Sequence, residues 1–241
     1  MANISISKRL PKRRIEVVGG SLGYCNWMRP TELVDHMEDA DLVVFTGGSD
    51  VFSRLYGEPP HPRASSAPRR DFQEKKEFER ARDLGLRLWG TCRGSQFLAV
   101  MAGGRLVQDQ DNPSFMHPIE TFDGKEIVVS STHHQAAYPW NLKEGTDFHL
   151  LGWTVGLCGR HEDGYGKEIV TGIVPGNKEV EMVWYPRIRA LGCQSHPEMV
   201  YGEAGQDEYI SYMQSLLDDF MNDTLLERIR KSPTVAPLQP A

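Results

Sequence analysis

Short apolar runs alternate with amphipathic stretches through the first hundred residues. Residues 15–18 predict a strand closed by Gly19-Gly20, residues 41–45 (Asp-Leu-Val-Val-Phe) a second, and residues 86–89 a third. Between the first two, Thr31 reads as the N-cap of a short helix carrying Leu33, Val34 and Met37. Residues 71–84 read as a strongly charged outer helix with a solvated face, ended by Gly85. Residues 95–101 predict a helix stopped by Gly103-Gly104. Strand-helix-strand alternation of this kind predicts an α/β fold with a parallel sheet, whose functional residues gather beyond the carboxyl ends of the strands.

The second half changes character. Residues 125–131, 166–174, 179–185 and 190–194 read as strands, with turns at Asp163-Gly164 and Pro175-Gly176-Asn177. Residues 207–230 predict one long amphipathic helix with Ile210, Met213, Leu217 and Phe220 on one face and Arg228, Arg230 and Lys231 at its negative end. Residues 232–241 are proline-rich and read as a disordered tail, leaving residues 1–231 as a single domain with no linker through its middle. The composition, 39% hydrophobic over 241 residues, can fill one core. Lys+Arg 27 against Asp+Glu 33 gives a net charge of -6, which argues against a nucleic-acid surface. Four irregularly spaced cysteines make no disulfide framework, and neither a signal peptide nor a membrane span is visible, so a cytoplasmic location is expected.

The chemistry centres on Gly90-Thr91-Cys92-Arg93-Gly94, between the third strand and its helix. A lone cysteine is most often a small buried hydrophobe. A cysteine flanked by glycines at a strand-to-helix turn has the form of a nucleophile elbow, with the side chain raised at the carboxyl end of the sheet and beside a helix N-terminus. Such a nucleophile needs a base, and the base an orienting partner. His196 and Glu198, one residue apart around Pro197 in an extended segment, project to the same side and can supply both. The pair Gly47-Gly48 after the second strand is either a plain turn or a backbone open enough to stabilise an oxyanion. Two C-x-x-H pairs, Cys158 with His161 and Cys193 with His196, can also be read as zinc ligands, a weaker reading because the triad accounts for His196.

Taken together, Gly90-Thr91-Cys92-Arg93-Gly94-Ser95-Gln96 and Ser195-His196-Pro197-Glu198 resemble the class I glutamine amidotransferase family. Within it the chain is most similar to the γ-glutamyl hydrolase branch, including the bacterial γ-glutamyl-γ-aminobutyrate hydrolases. Gly47-Gly48-Ser49-Asp50-Val51, Leu55-Tyr56-Gly57-Glu58, Arg70-Asp71, Arg93, Gly103-Gly104-Arg105-Leu106-Val107-Gln108-Asp109 and His133-His134-Gln135 match that branch in order. The resemblance implies a flavodoxin-like fold, a central mostly parallel sheet flanked by helices with a small added β hairpin region. It implies a Cys92-His196-Glu198 triad, an oxyanion hole from the backbone of Gly48 and Arg93, and substrate contacts from Gly47, Gln96, Ser131 and His133, with no metal or organic cofactor. His134 is expected to pack in the core or to position a loop rather than to act.

The chain departs from the branch at Ser130, where asparagine is usual, at Phe52-Ser53-Arg54, where a proline is usual, and in the longer polar stretch 153–166. Three functions remain open on this reading. The first is a glutaminase that hydrolyses glutamine through a γ-glutamyl thioester and supplies ammonia to a separate synthetase partner. The second is a stand-alone hydrolase of γ-glutamyl amines or peptides, and the third a binding protein that keeps the fold without turnover. The first is preferred, because the altered positions are the hydrolase-specific ones. Its substrate is a small molecule, with neither nucleic acid nor membrane as partner.

Overall fold

The structure, a computed structural model, describes residues 12–111, 115–154, 159–169, 178–199 and 206–232. In chain order the strands are β1 (Arg13–Val18), β2 (Thr31–Leu33), β3 (Leu42–Phe45), β4 (Arg87–Thr91), β5 (Arg105–Val107), β6 (Asp109–Gln110), β7 (Met116–Thr121), β8 (Glu126–Ser130), β9 (Ala136–Tyr138), β10 (His149–Thr154), β11 (His161–Glu162), β12 (Val180–Tyr185) and β13 (Ala190–Cys193). The helices are α1 (Pro68–Asp83), α2 (Arg93–Met101), α3 (Gln206–Met221) and α4 (Leu225–Lys231).

One sheet of nine strands runs β2-β1-β3-β4-β13-β12-β10-β7-β8. From β2 to β13 all neighbours pair parallel, and from β13 to β8 they pair antiparallel. Numbered among themselves, the parallel strands follow the order 2-1-3-4-5 of the flavodoxin-like fold. The expected α/β architecture is therefore present, and the added β region is an antiparallel extension of the same sheet. Two small antiparallel pairs, β6 with β11 and β5 with β9, sit beside it.

Strand alternation sorts the layers. Phe45 pairs in register with Gly90, and Val44 with Trp89, so Phe45 and Trp89 face opposite sides. Phe45 meets Phe97 of α2 at 5.3 Å between ring centroids, and Phe78 of α1 meets the same ring. Trp89 meets Trp27 at 5.1 Å on the other side, where Gln214 of α3 donates to the Trp27 carbonyl. The core thus lies on both faces of β3, β4 and β13, which are buried apart from the partly exposed Arg87 at the start of β4, as parallel strands covered on both sides must be.

Several expectations change. Residues 31–33 form β2 rather than a helix start, because they pair with Arg13, Arg14 and Ile15, and only a 3-10 turn, Met37–Asp39, follows. The single helix expected over 207–230 is α3 and α4, broken where Asp223 takes a left-handed φ of 59°. Of the strand expected over 166–174, Glu168 makes an isolated bridge to Glu162, and residues 170–174 lie outside the described residues. Ser232, expected in the tail, is buried and donates to the Phe122 carbonyl; residues 233–241 lie outside the described residues. Among the described residues no helix is long and apolar enough to cross a membrane.

Candidate active site

Cys92 is the hinge between β4 and α2, with φ 52° and ψ −112°. A left-handed φ is costly for a residue with a side chain, so the surroundings must impose it. They do so through the two glycines. A Cβ on Gly94 would come 2.1 Å from the Phe45 carbonyl oxygen, and one on Gly90 2.5 Å from the Gly94 backbone. With no side chains there, α2 starts in contact with β3 and β4, and the turn is closed by the Cys92 N–H, which donates to the Cys193 carbonyl at 2.7 Å. The Arg93 N–H falls in the first turn of α2, where amides have no intrahelical acceptor.

The His196 segment leaves the carboxyl end of β13, the parallel neighbour of β4. Ser130 brackets its backbone, accepting from the His196 N–H at 3.1 Å and donating to its carbonyl at 3.2 Å. The Ser130 departure thus bears on how His196 is held. The ring is buried, with Nδ1 2.7 Å from Glu198 Oε1 and Nε2 2.9 Å from the Thr132 hydroxyl. Burial opposes charge on the ring, but the hydrogen-bonding and charge of Cys92 and Glu198 outweigh it and raise the pKa to about 10. Tyr24 completes this side, its ring centroid 6.3 Å from that of His196 and its phenol pushed up by burial, then by Glu198 and Cys92.

Beneath Gly47-Gly48 lies a cluster of buried charge. Arg93, the residue after the elbow cysteine, points its guanidinium at Asp71 and Glu74 of α1, all with side chains at most 2% exposed. Glu74 also receives Arg70 Nε at 2.7 Å. The far end of Arg70 donates to the Gly47 carbonyl at 3.0 Å and to the carbonyl and hydroxyl of Thr46. Asp71 additionally accepts from the Phe52 N–H at 3.2 Å. Burial lowers the Arg93 pKa to about 10, helped by the like charge of Arg70 and opposed by Asp71. The strongly charged outer helix thus turns two carboxylates, Asp71 and Glu74, inward from its solvated face. Gly48, at φ +142°, leaves room for this arrangement, since a Cβ there would sit 2.1 Å from Arg70 Nη1.

A second polar cluster lies further out. His134, half-buried, bridges Asp50 and Asp109, and both carboxylates raise its pKa. Among the described residues, His61, Asp109 and Glu162 alone come within metal-ligand reach of one another. They do not suit a cation. His61 Nδ1 accepts from the Arg63 N–H, so the ring proton stays on Nε2, facing Glu162 at 2.9 Å. Asp109 already meets Arg63 and Arg160. Of the two C-x-x-H pairs, His161 meets Glu179 at 2.6 Å and Cys193 meets Ser195 at 3.1 Å, while Cys158 lies outside the described residues.

The family model described as Peptidase C26 matches residues 10–123. Protein NtpR of Enterococcus hirae is 27% identical over 212 residues, which are 78% of this chain and 77% of that protein. The glutamine amidotransferase-like protein YvdE homolog of Lactococcus lactis subsp. cremoris is 30% identical over 140 residues, 47% of this chain and 74% of that protein. The chain belongs to the class I glutamine amidotransferase-like family. A crystal structure of a glutamine amidotransferase from Thermotoga maritima shares its fold, with a TM-score of 0.51 at 15% identity over 92% of this chain and 100% of that one. Membership of the amidotransferase-like family supports amide hydrolysis in general.

The structure also places the remaining residues that the amidotransferase resemblance singled out. Gln96 is buried, and its side-chain nitrogen donates to the Gln135 carbonyl at 2.8 Å and to Gln194 at 3.2 Å. Ser131 is buried and its N–H donates to the Phe115 carbonyl. His133 is buried with Nδ1 2.9 Å from the Gln135 carbonyl, and burial lowers its pKa despite Glu181 nearby. Gln96 and His133 thus meet at the Gln135 carbonyl, and Ser131 is buried like them. Sequence reasoning missed Thr132, Tyr24 and the roles of Arg70 and Glu74. Thr132 lay between the matched Ser131 and His133, and nothing in its type marked it.

Proposed function

We propose that this chain is a cysteine hydrolase of small-molecule γ-glutamyl amides, working through a γ-glutamyl thioester. The observation that carries the reading is the juxtaposition of a strained elbow cysteine with a His–carboxylate pair on adjacent parallel strands. Cys92 sulfur attacks the γ-carbonyl carbon, and the charge that builds on its oxygen is met by the Gly48 and Arg93 N–H groups. His196, held by Glu198, gives its proton to the departing nitrogen as the C–N bond breaks, leaving the thioester. It then takes a proton from water, which attacks the thioester and releases glutamate and the Cys92–His196 pair. Gly47, Gln96, Ser131 and His133 shape the glutamyl pocket, and neither metal nor organic cofactor enters any step.

Glutamine as substrate, with ammonia passed to a separate synthetase, is the first form of this reading. A stand-alone hydrolase of γ-glutamyl amines is the second, and one observation favours it. Arg70 holds the Gly47 carbonyl from within the chain, so the peptide that carries the Gly48 N–H needs no partner to orient it. The test is kcat/KM of the wild-type protein and Cys92→Ala for glutamine and a panel of γ-glutamyl amines and peptides. Turnover of one of them by wild type alone, lost in the variant, supports hydrolysis. Equal inactivity of both on every substrate refutes it.

A further inference from the structure

We infer that Glu74 is a positioning residue that sets both donors of the oxyanion hole from beneath. The inference rests on the proposed function, in which those donors are the N–H groups of Gly48 and Arg93. One carboxylate holds two arginines: Oε1 takes Arg70 Nε at 2.7 Å, and Oε2 takes Arg93 Nη1. Each arginine leads to one donor. In a trans peptide the C=O and the following N–H point in opposite directions. By holding the Gly47 oxygen, Arg70 therefore fixes the direction of the Gly48 N–H. Arg93 carries the other donor on its own backbone, and its guanidinium, gripped by Asp71 and Glu74, pins the first turn of α2.

The space around Glu74 is built for this role. A Cβ on Gly19 would come 2.0 Å from Glu74 Oε1, and a Cβ on Gly48 2.1 Å from Arg70 Nη1, so two backbone segments give way to the pair. Two carboxylates and two guanidiniums leave the cluster neutral, which lets it remain buried. Asp71 touches only Arg93 of the two arginines; Glu74 alone among the described residues bridges both.

The test separates a reaction that builds an oxyanion from one that does not. Acylation of Cys92 by p-nitrophenyl acetate passes through a tetrahedral oxyanion as the S–C bond forms and p-nitrophenolate leaves. Alkylation by iodoacetamide forms an S–C bond as iodide leaves, with no oxyanion. In Glu74→Gln, which keeps the shape but places an amide against one arginine, acylation is expected to fall ten- to a hundredfold, below the loss from deleting a donor outright, which is on the order of 10²–10³. Alkylation should stay within twofold. Arg70→Met, at a partly exposed position, should show the same split and stands in if Glu74→Gln does not fold. A parallel loss of both reactions marks a collapsed site and overturns the inference, as does no loss of either, or a wild type that alkylates but is not acylated. A wild type that is acylated yet turns over no γ-glutamyl amide refutes the proposed function instead, and the comparison still decides the role of Glu74.

Discussion

Gly94→Ala sets two ordinary effects against each other. Gly94 is the second residue of α2, and in a helix alanine is favoured over glycine by about 1 kcal/mol. Propensity alone therefore expects a stabilised protein. The new Cβ, however, would lie 2.1 Å from the Phe45 carbonyl oxygen and 2.6 Å from its carbon, both backbone atoms of a central strand. Overpacking costs about 1–3 kcal/mol when side chains can swing aside. A strand held on both flanks cannot, so the upper end applies, about 3 kcal/mol, and the net loss is about 2 kcal/mol. For a domain of this size that lowers Tm by about 4–8 °C. The only relief is for α2 to back away from β3, carrying Cys92 and Arg93 with it, and a displacement near 1 Å costs on the order of 10²-fold in rate. Calorimetry and kcat on the best γ-glutamyl amide measure both effects. Gly85→Ala is the control, since it has a φ of +69° with nothing within 4 Å of its new Cβ, and should lose only about 1 kcal/mol without loss of rate. A Gly94→Ala protein with wild-type Tm and activity within twofold would show that the close approach of α2 to β3 does not set the nucleophile.

The other predictions follow from the same geometry. Cys92→Ala should abolish hydrolysis with the Tm little changed, and a glutamine-derived electrophile should label Cys92 while sparing Cys25 and Cys193, whose thiols burial pushes up to about 12; mass spectrometry showing even labelling would remove the assignment. In the proposed mechanism the imidazole carries the proton and the carboxylate orients it, so His196→Ala should be more damaging than Glu198→Gln. Glu198 helps raise the His196 pKa to about 10, so removing its charge should move the basic limb of the kcat/KM profile to lower pH; an unmoved limb would contradict the coupling. Thr132→Val removes the hydroxyl from His196 Nε2 and should lower kcat more than it changes KM, with Thr132→Ser restoring it; equal loss in both variants would point to packing alone.

Local chemistry was the legible part of the chain. The elbow and the His-Pro-Glu segment are short, and their geometry is dictated by glycine, proline and residue spacing. β3 was legible because a central parallel strand reads as an unbroken apolar run, and β4 because Leu88 and Trp89 lead directly into the elbow glycine. The missed strands break those rules. β7 contains Pro118, which has no ladder donor, and β10 contains Gly152 at a register irregularity against β12. β2 is three residues long and owes its form to the neighbour it pairs with. The break between α3 and α4 did carry a signal, Asn222-Asp223, residues that tolerate the left-handed conformation Asp223 adopts.

Helix α1 shows where composition misleads. Its charge density marks it as solvated, yet the residues it buries are Asp71, Glu74, Phe78 and Ala81. Their spacing of three, four and three is that of an inward stripe, and two of the four positions are acids. An acid on such a stripe is costly unless a cation meets it in the interior. The partners could be read from the sequence only by asking which arginine is forced inward, and Arg93 is, because the residue after an elbow nucleophile starts a helix packed against the sheet. Arg70 meets Glu74 one helical turn away at i,i+4 and reaches on to Gly47. The informative pattern is thus the position of charge relative to the apolar stripe. In this chain it leads from α1, through two arginines, to the backbone around Cys92.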